Sequence, residues 1–272
     1  HMKTRVISAA VLVPILFLIV LVAPISAAAT ILGILLAIAA YELLYRTGLV
    51  KQPRLVIYSS VMAFVISMWS YFEAVRAYFV LLLMAFFMLM LAEMMMDHIK
   101  VRFETVSMCF AGGVMIPYFL TALIRILTMN IGRYVILIPF IVAFMNDAGA
   151  YFVGVRFGKH KLAPVVSPNK TIEGVFGGLA GAMIGMLLYA LILDFPLKFE
   201  VNYLIALLYG LLGSAVGTFG DLCFSIIKRQ TGIKDYGNLI PGHGGVLDRF
   251  DSLSMVAPLM EALLLLLPLV EM

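Results

Sequence analysis

Nine stretches of this chain are each long and apolar enough to cross a lipid bilayer, and that pattern leaves few folds open. They run over approximately residues 6–23, 26–45, 55–72, 75–96, 106–128, 134–154, 175–193, 202–224 and 252–270. A bilayer core takes about 20 apolar residues per helix, within a range of about 17–25. Inside lipid, every backbone N–H and C=O must find a partner within the protein, so such stretches become helices. The expected fold is an all-α polytopic integral membrane protein with about nine transmembrane helices. Composition agrees: 64% of the residues are hydrophobic and 12% are charged, whereas a soluble domain is about one-quarter charged. Nineteen basic and 15 acidic side chains could not cover the core of a soluble monomer of this length. A disordered chain would need the opposite balance.

Pro14, Pro117, Pro139 and Pro258 fall inside the expected spans, where lipid-embedded helices tolerate them. Lys3 and Arg5 ahead of the first span also fit a signal peptide. That apolar run is longer than the usual h-region of about 7–15 residues, so it reads as a retained span. With the N-terminus inside, 15 of the 19 Lys and Arg side chains fall on cytoplasmic segments. Arg76, Arg125, Arg133 and Lys198 fall towards the other side. The positive-inside rule therefore places the N-terminus in the cytoplasm. Cys109 and Cys223, far apart in apolar surroundings, suit reduced packing residues rather than a disulfide or a zinc site. No basic helix carries interleaved aromatics, which argues against nucleic acid as a partner.

Charge is distributed unevenly. Residues 147–173 and 221–251 hold 14 of the 34 charged side chains, and both stretches fall on the cytoplasmic side. The chain divides accordingly. Residues 1–140 supply N-terminal transmembrane helices, and residues 141–272 form a catalytic region with polar segments at 147–174 and 220–251. In the second segment, Asp221 is expected at or near the cytoplasmic end of a long helix. Ser225 and Lys228, four and seven residues on, share its face. Asp248 and Asp251 are expected on one face at the start of the last span. Such carboxylates suit Mg²⁺, which takes one or two of them and fills its other positions with water and phosphate. Between them, Pro241-Gly242-His243-Gly244-Gly245 offers unobstructed backbone N–H groups to an anion, with a helix N-terminus following. Lys228, Arg229, Lys234 and Arg249 could neutralise a polyphosphate. In the first segment Asp147 interrupts an apolar span, and Ser167, Asn169, Lys170 and Thr171 form a candidate phosphate clamp ahead of a helix.

Each feature taken alone has a plainer account. Basic residues beside a span signal topology, glycine runs make turns, and Asp at a helix start favours the dipole. Their clustering, with Asp221 in an apolar helix where ionisable groups are expensive, favours function.

The run Ser225 to Asp251 resembles the signature of the CDP-diacylglycerol synthases, also called phosphatidate cytidylyltransferases. Ser225, Lys228-Arg229, Lys234-Asp235, Pro241, His243-Gly244-Gly245, Asp248-Arg249 and Asp251 carry the likeness. Gly220-Asp221-Leu222 and the segment Ser167-Pro168-Asn169-Lys170-Thr171 extend it. Many relatives have Glu where this chain has Phe224, so no acidic metal role falls there. The resemblance implies reaction of CTP with phosphatidic acid to give CDP-diacylglycerol and pyrophosphate, with Mg²⁺ and room for a second cation. It implies Asp221 and Asp248, then Asp251 and Asp147, as metal ligands. Lys170, Lys228, Arg229 and Arg249 would contact phosphates, the Gly242–Gly245 loop would cradle pyrophosphate, and His243 would donate to a phosphate oxygen. The setting implied is phospholipid biosynthesis at the inner membrane, with the site open to the cytoplasm and to membrane lipids.

Two other readings stay open. A polyprenol or dolichol kinase-like enzyme would also use CTP but transfer its γ-phosphoryl group. A transporter would explain Asp147, Glu93, Asp97, Arg125 and Glu261 as an ion path, yet no internal repeat is visible. Glu42 and Arg46, four residues apart, are expected to pair. Gly177, Gly181 and Gly185 form a close-packing face for a neighbouring helix or the second subunit of a homodimer.

Overall fold

A computed structural model describes residues 14–239 and 244–271. Seven of its helices are long and apolar enough to cross a membrane. They are α1 (Ile25–Arg46), α2 (Pro53–Tyr71), α3 (Phe79–Met96), α4 (Phe103–Leu127), α5 (Gly132–Phe157), α6 (Ile172–Asp194) and α7 (Tyr203–Gln230). The protein is thus an all-α polytopic membrane protein. The two remaining expected spans fare differently. Most of 6–23 lies outside the described residues, which show only a helical segment ending in a π-helical turn, Leu18–Val22.

The expected span 252–270 divides. Its helix covers only Leu253–Leu266, 14 residues, or about 21 Å at ~1.5 Å per residue, short of the ~30 Å hydrocarbon core. Pro258 lies within that helix. Pro268 follows its end, where a ring without an N–H cannot continue the ladder. The chain then becomes extended, and Val270–Glu271 pairs antiparallel with Glu200–Val201.

By compactness the chain forms two units, each built from two stretches of sequence. The first joins the residues up to Asn130 with Gln230–Phe250; the second joins Ile131–Arg229 with Asp251–Met272. The division by motif at residue 140 therefore differs from the division by packing, because Gln230–Phe250 folds with the N-terminal helices.

In the first unit, small residues bring α1 and α2 together. Ala28, Ala29, Leu32, Gly33, Leu36, Ala39 and Ala40 form the buried face of α1. A Cβ on Gly33 would stand 2.8 Å from the Phe64 ring. Ser67 donates its hydroxyl to the Ala29 carbonyl at 2.7 Å. Lipid tails are as apolar as leucine, so close contact and interhelical hydrogen bonds drive such packing. Leu44, Leu55, Val56, Met62, Ile66, Phe86, Met90 and Cys109 belong to the core of this unit. Both cysteines are free thiols. Arg54 of α2 pairs with the buried Glu93 of α3 at 2.9 Å. Arg125 donates to Thr121 Oγ1 at 3.0 Å and to the Tyr118 carbonyl. Glu93 and Arg125 thus have ordinary partners, and neither needs an ion path to account for it.

In the second unit, α5 and α6 pack backbone to backbone. The glycine face of α6 meets α5: a Cβ on Gly181 would lie 2.6 Å from the Met145 carbonyl, and one on Gly177 would overlap Val153. The stripe expected to serve a neighbouring helix or a second subunit is therefore covered by α5. The polar stretch between these helices forms a hairpin. Its strands β1 (Lys161–Ala163) and β2 (Ser167–Thr171) are antiparallel, with Lys161 opposite Thr171 and Ala163 opposite Ser167. Thr171 then caps α6, its hydroxyl oxygen accepting the Gly174 N–H at 3.1 Å, as Thr does at helix starts.

Candidate functional site

The hairpin and α7 bring the two polar stretches together. Lys170, near the end of β2, reaches Asp221 on α7, with its Nζ 2.5 Å from Asp221 Oδ2. Their side chains are 24% and 28% exposed, while the lysine Nζ itself is buried against the carboxylate. Ser225, one turn on, donates to Asp221 Oδ1 at 3.3 Å, which bears out the shared face read from the sequence. One expectation is corrected: α7 does not close at Asp221 but continues to Gln230. The extra turns carry Lys228 and Arg229. Arg229 uses Nε–H on the Val166 carbonyl in the hairpin at 3.1 Å, tying the end of α7 to the hairpin turn. Ser167 and Lys170 are partly buried, Asn169 is exposed, and Thr171 is buried as the helix cap.

Asp251 belongs to the same unit. Burial pushes its carboxyl up to about 7, and the nearby Asp221 and Asp147 carboxylates add to the effect. The Ser252 N–H, donated to Asp251 Oδ1 at 2.8 Å, and the Lys228 ammonium act in the opposite direction. Asp251 thus feels two other carboxylates of this unit, with the Lys228 ammonium beside it. Among the described residues no three His, Cys, Asp or Glu side chains form a ready-made metal cluster. The donor chemistry fits a hard cation nonetheless: all three groups are carboxylates, and the repulsion that Asp251 feels from the other two is what a divalent ion would relieve.

Next to Asp147, the buried Asn146 accepts hydrogen bonds at Oδ1 from Ser214 at 2.5 Å and Thr218 at 3.4 Å. This network anchors α5 to α7 beside the acidic residue. The sequence reading did not single out Ser214 or Thr218. Hydroxyls one turn apart on a glycine-rich helix were the available signal.

Asp248 has a different environment, in the first unit. It lies in a four-residue helix, α8 (Leu247–Phe250), and α9 begins only at Leu253. Asp248 and Asp251 therefore do not share one helix face. Asp248 is 5% exposed, and its Oδ2 accepts the N–H groups of Tyr236 at 2.8 Å and Gly245 at 3.0 Å. The Gly245 amide, expected to face phosphate, is directed to this carboxylate. The Val246 and Leu247 amides at the start of α8 go to Glu42, at 3.2 Å from Oε1 and 2.9 Å from Oε2. The expected Glu42–Arg46 pair is likewise replaced: Arg46 donates to Asn238 Oδ1 at 2.9 Å. Lys234 and Arg249 are exposed. Pro241, Gly242 and His243 lie outside the described residues.

A protein-family comparison supplies the remaining observation. Residues 3–267 match the sequence profile described as the cytidylyltransferase family. The chain belongs to that family.

This cytidylyltransferase-family chain also resembles proteins named phosphatidate cytidylyltransferase. It is 41% identical over 138 residues to those of Staphylococcus aureus (strain COL) and Staphylococcus haemolyticus (strain JCSC1435). The Staphylococcus epidermidis protein is 40% identical over the same length. Each alignment covers 51% of this chain and 52% of the relative, so the chain spans about half the length of the curated relatives it matches. The family match, by contrast, takes in both compact units. Glu42, outside the polar segments, therefore belongs to the family region as fully as Lys170 and Asp221.

Proposed function

We propose that this chain is a phosphatidate cytidylyltransferase that joins CTP to phosphatidic acid, giving CDP-diacylglycerol and pyrophosphate, at the cytoplasmic face of the inner membrane. The observation that carries the reading is the meeting of Lys170 with Asp221, which unites the two polar segments in one cluster. A phosphate oxygen of the lipid attacks the α-phosphorus of CTP. The new P–O bond forms as the bond from that phosphorus to the β-phosphate bridging oxygen breaks, and pyrophosphate leaves. A phosphate monoester is largely dianionic near neutrality, its second pKa being about 6, so the attack needs no strong base. What the protein must do is hold two anions in line and spread their charge.

Lys170 is built for such a contact. Its ammonium is held by one carboxylate near the end of the second hairpin strand, and Lys228 and Arg229 add positive charge along α7. Asp221 and Asp251, with Asp147 beside them, are the groups that would hold Mg²⁺, and three carboxylates leave room for a second cation. When bound, the ion supplies charge neutralisation at phosphate oxygens. The apolar helices around the cluster suit an acyl-chain substrate that stays in the bilayer.

CTP labelled separately at the α- and γ-phosphorus tests the reading. In phosphatidic acid vesicles, the α label should enter lipid and the γ label should leave as pyrophosphate. Lipid carrying only the γ label would instead make the chain a CTP-dependent lipid kinase.

A further inference from the structure

Glu42 is 2% exposed in a membrane-spanning helix, a setting where an ionisable side chain is expensive and usually has a task. Its task is visible in its contacts. Both carboxylate oxygens accept backbone N–H groups, from Val246 and Leu247, some two hundred residues further along the chain. The carboxylate also lies against two glycines. A Cβ on Gly245 would stand 2.5 Å from both of its oxygens, and one on Gly237 would overlap Oε1. Asp248 holds the same segment through Tyr236 and Gly245, and Gly244 adopts φ +87°, a backbone state that favours glycine. Three consecutive amides, of residues 245 to 247, are thus directed to two buried carboxylates. Arg46, one turn after Glu42, adds a tie to Asn238.

We propose that Glu42 is a positioning residue for the nucleotide. Its carboxylate fixes the backbone path of residues 244–248, the part of the signature run on which nucleotide use by the chain is taken to depend. The inference rests on the reading of the chain as a CTP-using enzyme. Glutamine in place of Glu42 keeps the shape but exchanges one acceptor oxygen for a donor, which leaves one of the two amides without a partner. Hydrogen bonds to a charged group are worth enough that kcat/KM for CTP should fall about tenfold or more.

The experiment measures steady-state kinetics of the full-length protein in phosphatidic acid vesicles, varying CTP and lipid separately. For Glu42→Gln the KM for CTP should rise or kcat fall, while the KM for phosphatidic acid stays within about twofold of wild type. Hydrogen exchange at residues 244–248 should quicken. Gly237→Ala supplies a second arm, because its methyl would overlap the intact carboxylate and press on the Gly245 backbone, and should reproduce the CTP defect. In a Glu42→Ala background the same methyl should cost less, the remaining close contact being with the Gly245 backbone at 2.9 Å. If Glu42→Gln does not fold, Gly237→Ala decides alone. Active wild type with unchanged CTP parameters in the folded variant overturns the inference and leaves the functional reading intact. So does a purely thermal effect, with lower Tm and normal kinetics. Wild type that forms no CDP-lipid overturns the functional reading and this inference with it.

Discussion

Replacing Lys170 with methionine tests whether the hairpin lysine serves the reaction as well as the fold. Methionine keeps the length of the side chain and removes its charge. At about 4 Å, opposite unit charges in an effective dielectric of ~20 attract by about 4 kcal/mol. The Lys170 and Asp221 side chains are 24% and 28% exposed, with the lysine Nζ buried, so water screens part of this, although less than at a fully exposed pair worth about 0–1 kcal/mol. A coupling of ~1–2 kcal/mol is therefore expected from a cycle of Lys170→Met, Asp221→Asn and the double variant, read by thermal unfolding in detergent. Activity should respond more strongly than stability. A lysine that neutralises a phosphate in the transition state contributes on the scale of an oxyanion-hole donor, about 10²–10³-fold in kcat. Transfer of α-labelled CTP into lipid should thus fall by that factor at a temperature where the variant stays folded. A coupling below about 0.3 kcal/mol would mean that the pair does not hold the hairpin to α7. Wild-type turnover by Lys170→Met would refute its phosphate contact.

Asp251 sets a pH dependence. Its folded pKa of about 7 exceeds the unfolded value of ~3.9, so its protonated form favours the fold. That contribution is full below about pH 4 and is lost progressively as pH rises to about 7. Ligand-free protein should unfold at a lower temperature at pH 8 than at pH 5.5, and Asp251→Asn should flatten the difference. Chelation should abolish label transfer and added Mg²⁺ should restore it, whereas full activity after exhaustive chelation would exclude a metal requirement. Gly181→Ala should lower stability by about 1–3 kcal/mol through overpacking, because its methyl would sit 2.6 Å from the Met145 carbonyl. Unchanged thermal unfolding would show that α5 and α6 can separate without loss.

The legible parts of this protein are those governed by local chemistry. Apolar runs of the right length became α1 to α7, since a backbone in lipid can satisfy itself only as helix. Asp221 and Ser225 share a face because a helix repeats every 3.6 residues. The Thr171 cap was within reach of the same reasoning. The last expected span was less secure, because hydropathy counts residues 252–270 evenly while the helix stops at Leu266, ahead of Pro268. The glycine stripe at 177, 181 and 185 announced close packing, but its partner could be named only from the folded unit.

The greatest distance between sequence and structure lies at the carboxylates. Composition and spacing showed that acidic and basic groups cluster in two polar segments, and that this chain must fold in a bilayer. They could not show which acid meets which donor, because that depends on contacts between residues far apart along the chain. Glu42 looked like half of a local pair with Arg46, yet its partners are the amides of Val246 and Leu247. Asp248 and Asp251 looked like twins on one helix, yet a break after Phe250 gives one to backbone amides and leaves the other among carboxylates. Helical periodicity is a property of neighbours in sequence. The pairing of a buried charge is decided by whichever donors the tertiary fold brings to it.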